Sequence, residues 1–71
     1  MNRINPEKLL NSKWTSVTVK QKERHFIVTK LLHDDQDTIV GCQIEAVINN
    51  KRYSIDWQQL KDSTIWQIGW K

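Results

Sequence analysis

Three side chains in this chain are of nucleophile or soft-ligand type: His25, His33 and Cys42. Hydrolysis by a thiol needs an imidazole within reach to take its proton, and a zinc site needs four ligands at workable spacing. The two histidines stand at the ends of one apolar run, and three ligands are too few. Cys42 lies within an alternating apolar stretch and reads as a small core residue. Asp34, Asp35 and Asp37 are clustered, but a calcium loop also requires a central glycine and a distal glutamate, so they read as a solvated turn. Glu45 and Asp56 stand near Arg52 in the expected sheet, where charge neutralisation is the simpler role. No catalytic residue, cofactor or metal is expected, and the chain is not expected to be an enzyme.

The better lead is basic. Lys13, Lys20, Lys22, Arg24 and Lys30 interleave with Trp14 in the first part of the chain. Clustered cations bind phosphates, and single-stranded nucleic acid also wants exposed aromatic rings on which bases stack. Of the four tryptophans, Trp57 is expected to face the core, while Trp66 and Trp70 alternate with Ile68 in a closing strand. Trp14 is therefore the one expected to be partly exposed. These six residues are the candidate binding set. Residues 1–30 hold seven basic against two acidic residues, whereas residues 31–71 hold four against six, so the net charge of +3 is concentrated at one end. Two partner classes follow. A protein or peptide docking on an exposed tryptophan edge or open strand is favoured, and RNA or single-stranded DNA on the basic half is the alternative. Oligomeric state is not legible.

A chain of 71 residues has room for one domain, residues 1–71, with one modest core. One cysteine cannot form an internal disulfide, so the tryptophans must supply much of the burial. No apolar run is long enough to span a membrane, the N-terminus lacks a secretory apolar stretch, and the lone thiol suits a reducing compartment. A cytoplasmic protein is expected.

The elements that must carry these residues are mostly strands. Asn5 and Pro6 open a short helix ending near Asn11 or Ser12. Lys13 to Val19 reads as a strand, Lys20 to Arg24 as a charged loop, and His25 to His33 as a strand covered on both sides. A four-residue acidic loop would set Leu31, Thr29 and Ile27 opposite Val40, Cys42 and Ile44. A loop one residue longer or shorter would instead put Phe26, Val28 and Leu32 on the core face. The four-residue version is preferred, with Ile4, Leu9 and Leu10 covering the other face. From Thr38 to Asn49, Val40, Cys42, Ile44, Ala46 and Ile48 point one way. A two-residue turn at Asn49-Asn50 would pair Ala46 with Tyr53, Ile44 with Ile55 and Cys42 with Trp57. Gln58 to Lys61 reads as one helical turn, and Trp66, Ile68 and Trp70 belong to a last strand of about six residues. The fold class is mainly β: a small antiparallel five-stranded sheet or an SH3-like, partly open barrel, with a short N-terminal helix and a helical turn before the last strand.

The run Ile4-Asn5-Pro6 with Leu9-Leu10, Lys13-Trp14-Thr15, His25-Phe26, Gly41-Cys42, Ile55-Asp56-Trp57, Leu60-Lys61-Asp62 and the closing Trp66 with Gly69-Trp70-Lys71 resembles the small tryptophan-rich proteins of bacteria, a family without assigned function. The resemblance spans nearly the whole chain. It implies a bacterial, stand-alone domain and brings no substrate, cofactor or catalytic residue with it.

Overall fold

A computed structural model describes residues 1–71. Five antiparallel strands, β1 (Lys13–Lys20), β2 (Glu23–His33), β3 (Ile39–Ala46), β4 (Arg52–Ile55) and β5 (Trp66–Ile68), form one sheet in the order β4-β3-β2-β1-β5. Because β4 and β5 end the sheet on opposite sides without pairing, it is open and not a closed barrel.

The N-terminal helix is only a 3-10 turn, Pro6–Lys8. Asn5 caps it as expected, its Oδ1 accepting from the Glu7 N–H at 3.1 Å. The turn stops early because Leu9 swings into the core and Asn11, at φ 67°, donates its N–H to the Val28 carbonyl. Asn2 straps this segment down, its Nδ2 donating to the carbonyls of Leu60 and Trp66, both at 2.8 Å. A second 3-10 turn, Trp57–Lys61, lies where a helical turn is expected and is capped by Asp56.

The expected charged loop is instead a tight hairpin. Lys20 pairs with Glu23, leaving only Gln21-Lys22 as the turn, and both adopt positive φ (54° and 64°). Positive φ at both central positions is the signature of the primed hairpin turn, whose twist matches that of the strands. Gln and Lys rarely supply it, which is why the residue types hid the turn.

Two registers are also corrected. The acidic loop has five residues, closed by Asp34, whose Oδ1 accepts from the N–H groups of Gln36 and Thr38 at 2.9 Å. Phe26 and Val28 therefore stand opposite Ala46 and Ile44 on the core face, as the longer-loop register requires. A bulge at Thr29 then brings Leu31 opposite Cys42. The β3–β4 loop, residues 47–50, has four residues, not two, with only Asn50 at positive φ (60°). Ile44 consequently faces Tyr53, and Cys42 faces Ile55. The slip is two residues, so the paired side chains from Cys42 to Glu45 and from Arg52 to Ile55 keep their expected faces although their partners change. Gly41 permits this pairing to close, since a Cβ there would lie 2.8 Å from the Ile55 carbonyl oxygen.

One face of the sheet is the inner face. Leu9, Trp14, Phe26, Val28, Cys42, Ile44, Ala46, Leu60 and Trp66 form a single core on it, flanked by Ile4, Leu31, Ile55 and Trp57. Val40 and Ile48, expected to extend the core stripe, are exposed at its two ends, and Leu10 is exposed as well.

Candidate functional site

The N-terminal strap and the second 3-10 turn cover only part of the inner face. The remainder is an open cleft of about 540 Å³. Its apolar lining is Phe26, Ile44, Tyr53, Ile55, Ile65 and Trp66, and its polar rim is Ser16, Thr18, Lys20, Gln21 and Glu23. Phe26 and Trp66 meet edge-to-face with centroids 5.2 Å apart, and Tyr53 approaches Phe26 at 6.4 Å, so the floor is aromatic and fixed.

Two free strand edges flank it. β4 has no neighbour on its outer side, and β5 pairs only with Trp14, Thr15 and Ser16 of β1. The Val17 N–H still reaches the Ile65 carbonyl at 2.8 Å. Past that bond, strand alternation turns the N–H and C=O of Val19 toward an edge on which no strand lies.

Glu23 is the one acid at the cleft, and it is nearly buried at 7% exposure. The Tyr53 hydroxyl donates to its carboxylate at 2.8 Å, and Asn49 Nδ2 donates to Oε2 at 2.6 Å. These bonds, the one from Asn49 foremost, hold its pKa below the usual carboxylate value. The same contact with Glu23 pushes the Tyr53 hydroxyl upward. Glu23 thereby ties the start of β2 to the β3–β4 loop and to β4.

The six candidate residues do not form one site. Trp14 is a correction: it is 3% exposed, its Nε1 donates to Ser12 Oγ at 2.8 Å, and it presents no ring to a ligand. Lys20 lines the cleft, and Lys22 sits at the hairpin tip beside it. Lys13, Arg24 and Lys30 are exposed but lie on the outer face, with Lys30 opposite Gln43 and apart from the other two.

The exposed tryptophan is Trp70, at 44%. Gly69, at φ 82°, turns the chain out of β5 after three residues, so Trp70 leaves the face it was expected to share with Trp66. It crosses to the outer face, where its Nε1 donates to the Phe26 carbonyl at 3.0 Å. Lys13 Nζ lies over its ring, 4.7 Å from the centroid, and His25 stands 5.9 Å away. Trp57 is half-buried at the start of the second 3-10 turn, not opposite Cys42, with Nε1 donating to the Ile39 carbonyl.

Cys42 is fully buried, and burial, with a smaller contribution from Asp56, pushes its thiol up to about 11. A thiol so placed is scarcely ionised at neutral pH, the condition for a packing residue and not a nucleophile.

The family model described as Tryptophan-rich protein (DUF2389) matches residues 12–71. The chain belongs to this family. All four tryptophans fall inside the matched residues, and this tryptophan-rich protein spends them differently: Trp14 and Trp66 in the core, Trp57 on its flank and Trp70 as a latch on the far side. No curated protein and no solved structure matches the chain. No helix is long and apolar enough to cross a membrane.

Sequence reasoning missed Glu23, Tyr53, Ile65 and Trp66 as a site. The legible signal was Glu23, a lone acid inside the basic run Lys20-Gln21-Lys22-Glu23-Arg24.

Proposed function

We propose that the protein is a non-enzymatic interaction module that holds an extended peptide segment of a protein partner in the inner cleft. The observation that carries this reading is an aromatic floor left uncovered between two free strand edges. An extended chain presents alternate side chains to such a floor and its main-chain groups to such an edge. The buried unpaired thiol of Cys42 fits a reducing compartment, and we place the protein in the cytoplasm of a bacterial cell.

The test is amide and indole shift mapping by NMR with a panel of synthetic nonapeptides of β-branched sequence. Saturable shifts at Thr18, Val19, Lys20, Tyr53 and the Trp66 indole, abolished by Ile65→Arg, are expected. Absence of saturable shifts up to millimolar peptide, or shifts confined to the outer face, would overturn the reading.

A second reading is supported by a different observation. Trp70 carries an exposed indole with the Lys13 cation over its ring and the His25 ring beside it, and Arg24 lies on the same outer face; an aromatic ring with cations is the combination that binds single-stranded RNA or DNA. There, oligonucleotide binding should quench tryptophan fluorescence, weaken with salt at a log–log slope of about −0.7 per phosphate contact and disappear in Trp70→Ala.

A further inference from the structure

The charges around the cleft are not evenly placed. At the end where the β1–β2 hairpin meets the β3–β4 loop, Lys20 lines the rim, Lys22 occupies the turn, and Lys51 reaches across so that its Nζ lies 3.5 Å from Gln21 Oε1. All three lysines are exposed, and none takes part in an ion pair; the single salt bridge of the molecule joins Arg52 to Glu45 at 2.8 Å. The only acid on the cleft, Glu23, is turned inward and bonded to Tyr53 and Asn49. Counting Glu23 against the three lysines still leaves this end positive by two charges. Along β4 the sign changes: Lys51 precedes the strand, whereas Asp56, next to Ile55 at its other end, caps the second 3-10 turn.

We infer that the occupant of the cleft is an acidic extended peptide, one apolar side chain seated on Phe26, Tyr53 and Trp66 and its carboxylates at Lys20, Lys22 and Lys51. This rests on the peptide-docking reading and adds the partner's chemistry to it. Exposed pairs are individually weak, so selection comes from the three lysines acting together, while the aromatic floor supplies affinity. Glu23 contributes by rejecting a second acid inside the cleft. It confines carboxylates to the rim and so fixes which way the peptide runs.

The experiment uses three nonapeptides of one β-branched scaffold, with two glutamates, two glutamines or two lysines at one end, and a nine-nucleotide oligothymidine. Affinities are read from the Trp66 indole and the Thr18–Lys20 amides at about 20 mM salt. The glutamate peptide should bind about tenfold more tightly than the glutamine peptide, and the lysine peptide most weakly. At about 0.5 M salt the glutamate advantage should shrink to less than threefold, because the Debye length becomes shorter than the rim. In the triple variant Lys20→Gln, Lys22→Gln, Lys51→Gln the ratio of glutamate to glutamine affinity should fall to about one, with the thermal midpoint showing the variant folded. Equal binding of all three peptides would overturn the acidic preference and leave peptide docking standing. No binding by any peptide would overturn both. Oligothymidine binding at these residues more tightly than the glutamate peptide would overturn the inference in favour of nucleic acid.

Discussion

The inner and outer faces of this sheet hold the same strands by different physics. On the inner face, Trp14, Phe26, Val28, Ile44 and Trp66 are removed from water and pack on one another. On the outer face Thr15 is buried, beneath a tail of three residues. Its hydroxyl donates to the Gly69 carbonyl at 2.7 Å and accepts from the Lys71 N–H at 2.9 Å, while His25 Nε2 lies 2.9 Å from the Lys71 carbonyl oxygen. Burial is additive and insensitive to direction, whereas a latch of hydrogen bonds contributes only its small net difference from water. In a chain of this length there is enough apolar surface for one core. The outer face is thus free to carry charge, and the inner face is free to end in a cleft wherever its cover runs out.

The largest test of this contrast compares two tryptophans. Trp66→Ala opens a cavity beside Phe26 and should cost about 3–5 kcal/mol, enough to unfold much of the population of a small domain. Trp70→Ala removes one indole bond and a half-exposed ring and should cost about 1–2 kcal/mol. Denaturant midpoints of the two variants decide it, and equal losses would mean that the tail is part of the core.

Protonation separates the faces next. Cys42 ionises from about pH 9 in the unfolded chain but near 11 in its inner-face site. Its contribution is fully present below pH 9 and is lost as the pH rises to 11, because only the unfolded state releases the proton in that interval. The loss should be about 2–3 kcal/mol. Tyr53, also raised, adds in the same direction. Cys42→Ala should flatten the stability curve between pH 9 and 11 relative to the parent, which guanidinium melts at stepped pH would show. At the acid end the signs reverse. Glu23 and Glu45 are held below their usual value of 4.5 by hydrogen bonds, from Asn49 and Tyr53 and from Arg52 and Asn50 respectively, so their contributions are present above that value and fade as the pH falls through the folded pKa.

How much of this was legible in the sequence follows from which signals are local. Alternation from Val40 to Ile48 placed Cys42, Ile44 and Ala46 on one face, and Asn5 and Asp56 lie at the caps of the turns expected after them. Register was not legible, because it depends on loop lengths that single residues decide: Asp34 closing a five-residue turn, and Asn50 alone taking positive φ. The exposed tryptophan was misassigned for a related reason. Trp66 and Trp70 share a strand parity, and only the backbone break at Gly69 sends them to opposite faces. The cleft was illegible because it is an absence of cover, and its lining comes from all five strands and the segment before β5, residues brought together only by the tertiary fold. The basic run, by contrast, was visible, but its division between rim and outer face required the hairpin.

That hairpin turn, where the two faces meet at their charged end, gives the smallest and most specific prediction. Five residues other than glycine have positive φ; Asn11, Asp37 and Asn50 are of types that tolerate it, whereas Gln21 and Lys22 are not and stand side by side. A left-handed lysine costs on the order of 1–2 kcal/mol, and glycine removes that strain while adding roughly 0.5–1 kcal/mol of chain entropy to the unfolded state. Lys22→Gly should therefore stabilise the fold by up to about 1 kcal/mol, a rise of a few degrees in Tm for a domain of this size. The same change deletes one of the three cations at that end of the cleft, so the preference for the glutamate peptide should fall two- to threefold as stability rises. A protein that gains stability while losing selectivity would show Lys22 held in a strained position by its charge at the cleft. If Tm is unchanged or lower, the turn carries no strain worth relieving, and Lys22 is there for the hairpin itself.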